Sequence, residues 1–257
     1  MPAPDDADQL ARAIAILRAS RRAVALSGAG LSTESGIPDF RSPGGVWERF
    51  RPIEYGEFVR SEDARREHWQ YKRETIPVML RAVPNAGHRA LVRLEDAGRS
   101  SAVVTQNIDG LHQAAGSRTV LELHGTNRSA VCLACATSEP IEPVLARLEA
   151  GCAVPRCLAC DGVLKPATVS FGQSLPRDVL ERSIRLASEC DCLLAIGSSL
   201  QVQPAASLVD VAKEGGASVL ILTRSATPYD AIADVRLGAA LGETLPALID
   251  GALGATA

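Results

Sequence analysis

A glycine-rich turn directly follows a short apolar run near the start of the chain. Residues 23–26 are apolar, and Gly28, Ala29 and Gly30 come just after them. An apolar run bounded by glycines is typical of a buried parallel strand. Glycines just past a strand let backbone N–H groups approach an anionic ligand. A tight structural turn explains the same pattern, and a lone Gly-x-Gly does not separate the two interpretations.

Three chemically different side chains stand together shortly after this turn. Asp39, Phe40 and Arg41 place an acid, an aromatic ring and a guanidinium in consecutive positions. A structural turn does not need that set, whereas a site that holds a nucleotide could use all of it. The alternative is a solvated Asp/Arg pair on a loop.

Polar side chains also follow a second apolar run. Gln106, Asn107 and Asp109 come after residues 101–105 and offer amides and a carboxylate to a sugar or amide ligand. The alternative is that Asn and Asp simply make turns here.

A histidine follows the third apolar run. His124 comes after residues 120–123 and stands beside a glycine, which makes it a candidate general base because histidine titrates near neutral pH. A lone histidine is more often structural than catalytic. His112 is the competing candidate, and we expect it to support the loop from Gln106 to Asp109.

Four of the seven cysteines form two Cys-x-x-Cys pairs. The pairs are Cys132 with Cys135 and Cys157 with Cys160. Two such pairs predict a tetrahedral Zn²⁺ held by four thiolates. Because four protein ligands leave no open position, we expect one structural zinc ion. Cys152 breaks the spacing and is interpreted as a non-ligand.

The hydrophobic pattern predicts strands that alternate with helices. The apolar runs that predict strands are 23–26, 101–105, 120–123, 192–196 and 218–222. Helical spacing occurs at 9–18, 61–81, 85–97, 206–213 and 245–253. We expect an α/β fold, with a Rossmann-like parallel sheet covered by helices on both faces.

A small or functional residue follows each predicted strand. These residues are Gly28, Gln106, His124, Gly197 and Thr223. Ligands of open α/β sheets bind at the carboxyl ends of the strands, so we expect the five residues to meet at one site.

Most of the aromatic residues fall between residues 43 and 84. Charges are dense there and no strand-like run occurs, so we expect short helices, of which 61–81 is the longest. The segment is interpreted either as a helical cap packed by aromatics or as a mobile cover over the ligand site.

Composition narrows the class of protein. The 257 residues are 46% hydrophobic and 22% charged, with a net charge of −3 and no block of like charges. That balance predicts a globular protein and argues against nucleic acid as the main partner. We expect no membrane span and no secretory signal, and hence a cytoplasmic location.

The motifs together resemble those of the sirtuins, which are NAD-dependent protein-lysine deacylases. The resemblance covers roughly residues 22–241. The matching segments are 28–41, 105–112, the pair His124-Gly125, and 197–205, in which Ser198 replaces the family's Thr. A Cys₄ zinc insert follows the His-Gly pair in this family too.

The resemblance implies an NAD site and a role for each matching residue. Gln106, Asn107 and Asp109 would contact nicotinamide and its ribose, and His124 would be the general base, so His124, Asn107 and Asp109 are the expected catalytic residues. The other expected NAD contacts are Gly28, Ala29, Gly30, Thr33, Asp39, Phe40, Arg41, Ile108, Gly197, Ser198, Ser199, Thr223, Arg224 and Leu241. Thr223 and Arg224 depart from the family, which commonly has Asn after this strand.

Residues 165–173 resemble the family's extended segment, which adds the acyl-lysine peptide as a strand. The expected peptide contacts are Val169, Ser170, Phe171 and Gly172. Gln173 replaces the family's Glu and removes a charge near the peptide path.

The reaction implied consumes NAD and transfers no hydride. Nicotinamide leaves as the acyl oxygen attacks, and free lysine and O-acyl-ADP-ribose result.

Family members that favour succinyl groups carry a Tyr and an Arg where this chain has Trp69 and Lys72. We therefore expect neutral acyl groups such as acetyl, with pairing of Lys72 or Arg73 to a carboxylate as the alternative.

The expected domains are a Rossmann-like NAD-binding domain and a smaller domain. The first comprises 1–43, 85–124 and 165–257, and the second a helical insert, 44–84, and a zinc-ribbon insert, 125–164.

The expected partners are NAD and acyl-lysine proteins or peptides. The alternatives are an NAD-dependent mono-ADP-ribosyltransferase and a non-enzymatic sensor of NAD or ADP-ribose.

Overall fold

Strands that alternate with helices make up most of the chain. The structure is a computed structural model that describes residues 4–39 and 45–254. In chain order the strands are β1 (Ala23–Ser27), β2 (Ser100–Thr105), β3 (Val120–Glu122), β4 (Gly125–Cys132), β5 (Ser138–Pro140), β6 (Leu164–Thr168), β7 (Cys192–Ile196), β8 (Ser218–Leu222) and β9 (Val235–Leu237). The helices are α1 (Pro4–Ala19), α2 (Val46–Arg49), α3 (Tyr55–Arg60), α4 (Glu62–Arg81), α5 (Ala86–Asp96), α6 (Leu111–Ala115), α7 (Ile141–Glu149), α8 (Arg177–Glu189), α9 (Leu208–Glu214) and α10 (Leu241–Leu253). None of these helices combines the length and the apolar character that a bilayer span requires.

The main sheet is parallel and has the order β3-β2-β1-β7-β8-β9. Every residue of the central strands β1 and β7 is buried. Ala23 and Ala25 pack on the face that α1, α5 and α10 cover, whereas Val24 and Leu26 pack on the face that α8 and α9 cover. A strand buried on both faces favours apolar side chains, which is why residues 23–26 of β1 form a continuous apolar run before Ser27. The expected Rossmann-like sheet with helices on both faces is confirmed.

The rest of the chain forms a small lobe, defined here as α2, α3, α4 and α7 with β4, β5 and β6. Its sheet is antiparallel and has the order β5-β4-β6. Trp69 and Ile76 of α4 pack in one hydrophobic cluster with Ile141 and Val144 of α7. Two separate stretches of sequence therefore share a core. The expected domain boundary at residue 165 falls inside β6, and the division into domains stays a prediction.

Helix ends differ from the sequence prediction where a side chain caps the helix. The Asn85 side chain accepts the amide N–H of Gly87 at 3.0 Å, so α5 begins one residue after it. Helix α10 begins at Leu241 rather than Leu245, and the Glu34 carboxylate accepts the Gly242 amide N–H at 2.8 Å. Glu34 is distant in sequence, so periodicity did not find this start. Helices α6, α7 and α8 were not predicted.

Candidate active site

One large cavity opens along the carboxyl ends of the parallel strands and reaches the small lobe. Its volume is about 1130 Å³. The five residues predicted to follow the strands all line it: Gly28, Gln106, His124, Gly197 and Thr223. Strands far apart in sequence are neighbours in the sheet, so their ends deliver these residues to one place.

Most of the other predicted contacts also line this cavity. They are Ala29, Gly30, Thr33, Asp39, Asn107, Ile108, Ser198, Ser199, Arg224 and Leu241, and the predicted peptide contacts Val169, Ser170, Phe171 and Gly172. Asp109 does not line the cavity. Phe40 and Arg41 lie outside the described residues.

The loops after β1 and β7 touch each other, and glycine makes that approach possible. The amide N–H of Gly30 donates to the carbonyl of Gly197 at 2.8 Å. Gly197 has a φ of 62°, and a Cβ there would overlap the amide nitrogen of Leu31. Any other residue at Gly197 would be strained and would push the two loops apart. The glycines therefore shape the cavity floor as well as leaving room for a ligand.

Gln106 and Asn107 are fixed by hydrogen bonds to the loops beside them. The Gln106 side-chain amide donates to Ser198 Oγ at 3.0 Å, across the end of β1. The buried Asn107 amide donates to the Gly28 carbonyl and to Ser32 Oγ, each at 3.1 Å. Both amides are therefore held in place by the protein itself.

Asp109 is buried next to the cavity and does not line it. Its buried carboxylate accepts the Ser32 hydroxyl at 2.7 Å and the Leu111 amide N–H at 2.9 Å. Ser32 thus links Asp109 to Asn107. Ser32 belongs to the glycine-rich segment that resembles the family motif, but the sequence assigns it no role; its position two residues after Gly30 is the available signal.

His124 lines the cavity with one ring nitrogen fixed by the backbone. Its Nδ1 lies 3.0 Å from the Gln106 carbonyl oxygen, which can only accept a hydrogen bond. Nδ1 therefore carries the proton and Nε2 presents a lone pair. Burial lowers the pKa of His124 from its usual 6.5, while the hydrogen bond to Gln106 opposes that shift. At neutral pH the ring is in its basic form.

A second strand fixes the backbone of His124. The amide N–H of Val169 donates to the His124 carbonyl at 2.8 Å. Gly125 has a φ of 70°, and a Cβ there would overlap the carbonyl oxygen of Ala167. The close approach of β6 therefore requires a glycine directly after the histidine.

His112 lies in a buried hydrogen-bonded chain beneath this loop. Its Nε2 lies 2.8 Å from Ser27 Oγ, and Ser27 Oγ donates to Thr105 Oγ1 at 2.8 Å. Thr105 Oγ1 in turn accepts a hydrogen bond from the backbone N–H of Asn107 at 3.0 Å. Burial and the neighbouring His88 lower the pKa of His112 to about 3, so the ring is neutral. This supporting role agrees with the expectation for His112, whereas sequence reasoning missed Ser27 and gave Thr105 no role of its own.

Helix α4 contributes His68, Tyr71 and Lys72 to the cavity lining. The fully buried Lys72 ammonium donates to Asn127 Oδ1 at 2.9 Å. Burial and the neighbouring Lys165 lower the pKa of Lys72 to about 7. Trp69 does not line the cavity but packs in the small-lobe core. Nothing in the local sequence pattern pointed to His68 or Asn127.

The predicted peptide segment is extended only in its first part. Strand β6 and Val169 are paired, and the chain then turns at residues 170–173. The Gln173 side chain accepts the Ser170 amide N–H at 3.1 Å, and Gly172 has a φ of 76°. Gln173 therefore closes a turn. The Phe171 carbonyl accepts the Tyr55 amide N–H at 2.8 Å, which joins this turn to α3.

The four predicted zinc ligands lie together in the small lobe. Their Sγ atoms are all within 4.8 Å of one another. The sulfur atoms of Cys132 and Cys160 are 3.5 Å apart, and those of Cys135 and Cys157 are 3.7 Å apart. Tetrahedral Zn²⁺ with Zn–S bonds of about 2.3 Å separates its sulfur ligands by about 3.8 Å. The four thiols therefore fit one zinc ion and leave it no open position.

Comparisons with known proteins identify the family of this chain. The model of the Sir2 family matches residues 28–204. An NAD-dependent protein deacetylase of Thermodesulfovibrio yellowstonii is 42% identical over 243 residues, 95% of each chain. NAD-dependent protein deacetylase 2 of Streptomyces coelicolor is 47% identical over 232 residues, 88% of this chain and 95% of the relative.

Solved structures show the same architecture. A structure described as "Sir2-p53 peptide-NAD+" superposes with a TM-score of 0.85 and 36% sequence identity, and covers 97% of this chain and 98% of its own. The family model spans most of the chain, and relatives above 40% identity align with nearly all of it. This chain belongs to the Sir2 family.

Proposed function

We propose that this protein is an NAD-dependent protein-lysine deacylase that releases nicotinamide, O-acyl-ADP-ribose and free lysine. The observation that carries the proposal is that His124, in its basic form, shares one cavity with the fixed amides of Gln106 and Asn107. The curated relatives named NAD-dependent protein deacetylase support it.

The loops after β1, β2, β7 and β8 would hold NAD. The glycine turns at Gly30 and Gly197 are joined by their own hydrogen bond and leave room for a ligand, and Ser198 and Ser199 line the same space with hydroxyl side chains. When bound, NAD supplies an electrophilic anomeric carbon that carries nicotinamide as its leaving group. The protein's part is to place the acyl oxygen against that carbon and to exclude water.

His124 would act as the general base through Nε2. The Gln106 carbonyl holds Nδ1–H, so the ring keeps one tautomer and one orientation. The lowered pKa keeps the imidazole unprotonated at neutral pH, as a base must be before it removes a hydroxyl proton.

Asn107 would position the nicotinamide end, and Asp109 would act through Ser32. The Asn107 side-chain amide donates to Gly28 and Ser32, and the residue lines the cavity. Asp109 accepts the Ser32 hydroxyl, which orients the Ser32 oxygen toward Asn107. Asp109 and Ser32 therefore hold the Asn107 side chain in a fixed orientation before any ligand binds.

The acyl-lysine peptide would enter beside residues 169–172. Val169 extends β6 by its bond to His124, so a peptide added along this edge would bring its lysine side chain to the histidine. The zinc ion would be structural, because the four cysteines complete its tetrahedron in the small lobe.

Neutral acyl groups such as acetyl are the proposed substrates, in preference to succinyl. Lys72 is the cation of α4 that lines the cavity. Its pKa of about 7 leaves it largely uncharged in mildly alkaline solution, and its Nζ already donates to Asn127. A succinyl carboxylate would lose its hydration there without gaining a full positive partner.

Mass spectrometry of the purified protein with NAD and an acetyl-lysine peptide tests the function. We expect loss of acetyl matched by nicotinamide and O-acetyl-ADP-ribose, and at least about a hundredfold slower product formation with the variant His124→Ala. An intact peptide with ADP-ribose on protein would instead indicate the transferase. NAD binding with no turnover of any acyl peptide would indicate the sensor.

A further inference from the structure

One end of the cavity carries a cation that the proposed chemistry does not use. Thr223, Arg224 and Ser225 line the cavity at the carboxyl end of β8. The reacting residues Gln106 and Asn107 follow β2, and two strands lie between β2 and β8. Three strand spacings separate the two ends by about 14 Å. If nicotinamide lies at Gln106, as the proposed function requires, the adenosine half of the dinucleotide reaches the β8 end.

Arg224 has a fixed backbone and a free side chain. Arg236 donates from its guanidinium to the Ser225 carbonyl at 2.7 Å and to the Arg224 carbonyl at 3.4 Å. The Arg236 guanidinium also lies 3.1 Å from the Asp230 carboxylate. The nearby acid is therefore already paired. The exposed Arg224 guanidinium makes no hydrogen bond or ion pair with any residue of 4–39 or 45–254.

The surroundings of Arg224 suit an anion. Thr223 and Ser225 add hydroxyls, and the adjacent strand β9 is followed by the small residues Gly238 and Ala239, of which Ala239 lines the cavity. No carboxylate stands among residues 223–225. In dinucleotide sites an acid at the adenosine ribose bonds the 2′-hydroxyl, whereas an arginine nearby accommodates a 2′-phosphate.

The acids that line the cavity are otherwise engaged. Within the described residues they are Glu34, Asp39 and Glu67. Glu34 accepts the Gly242 amide N–H at 2.8 Å, and Glu67 pairs with Arg51 at 2.7 Å. Asp39 has a partner of its own. None of the three follows β8, so Arg224 is the charge that an adenosine ribose meets there.

We propose that the β8 end accepts an adenosine ribose carrying a 2′-phosphate, with Arg224 as the residue that determines this specificity. The planar guanidinium offers two parallel N–H donors to a phosphate, a geometry that favours bidentate binding. The protein then binds 2′-phospho-ADP-ribose and NADP⁺ in addition to NAD and ADP-ribose. The proposal rests on the proposed function for the orientation of the dinucleotide.

Isothermal titration of ADP-ribose and 2′-phospho-ADP-ribose into the wild-type protein and two variants tests this. We expect the wild type to bind the 2′-phosphorylated ligand at least as tightly as ADP-ribose. Arg224→Ala should weaken the 2′-phosphorylated ligand about tenfold or more, because a charge-assisted contact is lost, and change ADP-ribose by less than about threefold. Arg224→Lys should restore part of the loss.

Arg177→Ala is the matched control, because Arg177 is exposed, lines the same cavity and carries the same charge. It should leave the ratio of the two affinities unchanged. Raising the salt concentration should lower the wild-type affinity for the 2′-phosphorylated ligand more than that for ADP-ribose.

The outcomes separate this proposal from the function it rests on. If the wild type binds ADP-ribose but holds the 2′-phosphorylated ligand about tenfold or more weakly, the proposal fails and the proposed function stands. Equal losses of both ligands in Arg224→Ala would also overturn it. Absence of binding by either ligand would contradict both the proposal and the proposed function.

Discussion

The two ends of the cavity are built in different ways. At the β2 end, Asn107 and Asp109 are buried and joined through Ser32. At the β8 end, Arg224 is exposed and its side chain is unpaired within the described residues. A buried polar group must be satisfied by fixed partners, whereas an exposed one is satisfied by water. The β2 end is therefore organised before a ligand binds, and the β8 end is free to vary in specificity.

The largest expected effect comes from the base at the organised end. His124→Ala should lower kcat/KM for an acetyl-lysine peptide by about 10²–10⁴-fold, the usual range for loss of a general base. NAD affinity should change by less than about threefold, since the Gln106 side chain keeps its own hydrogen bond to Ser198 when the His124 ring is removed. Steady-state kinetics and titration of NAD check this. Equal losses in rate and affinity would show that the residue binds NAD and is not the base.

Removing the Ser32 hydroxyl, which links Asp109 to Asn107, should have the next largest effect. Ser32→Ala leaves the buried Asp109 carboxylate and Asn107 amide each one partner short, which should destabilise the protein by about 1–3 kcal/mol. We expect kcat to fall about tenfold or more because Asn107 loses its orientation. Thermal unfolding and kinetics measure the two effects. Ser188→Ala, which removes an exposed hydroxyl on α8, is the control and should change neither.

Lys72, which lines the cavity, should have a smaller and pH-dependent effect on acyl preference. Because the pKa of Lys72 is lowered to about 7, its ammonium form grows as the pH falls through that value. The ratio of kcat/KM for succinyl-lysine to that for acetyl-lysine should stay below one and rise several-fold between pH 8.5 and 6.5. The ratio cancels the titration of His124, which both substrates share. Lys72→Met should make the ratio independent of pH, and a ratio above one at pH 8.5 would contradict the proposed acyl preference.

The smallest expected effect lies at the β8 end. Thr223 lines the cavity, and its side chain has no hydrogen-bond partner among the residues that the structure describes. Thr223→Ala should raise KM for NAD by less than about threefold and leave kcat unchanged, because a single neutral hydrogen bond from this hydroxyl to the ligand contributes little. Initial rates at varied NAD concentration measure this. A fall in kcat would mean that the two ends are coupled and would remove the contrast between them.

The sequence was sufficient for the parts of the fold that local pattern dictates. Continuous apolar runs predicted β1, β7 and β8, and two Cys-x-x-Cys spacings predicted the metal ligands. The residues that follow the strands could be placed at one site because parallel strands end on one side of a sheet. These inferences need only the order of residues along the chain.

The contacts between distant segments could not be predicted in the same way. The bond from Lys72 to Asn127 and the cap of α10 by Glu34 depend on which helices and loops meet in three dimensions. Trp69 stands where family members that favour succinyl groups carry a Tyr, but its side chain fills the small-lobe core. Each of these side chains has an ordinary local pattern, and only tertiary packing selects its partner.

The strand pairing also bears on how the chain is made. Ala23 of β1 pairs with Cys192 of β7, so the centre of the main sheet stays open until nearly three quarters of the chain has been synthesised. The small lobe needs only residues up to Thr168 to complete its own sheet. During translation, therefore, the lobe can fold while β1 still waits for its neighbour. The exposed edge of β1 during that interval is where a nascent chain of this protein would most need protection from aggregation.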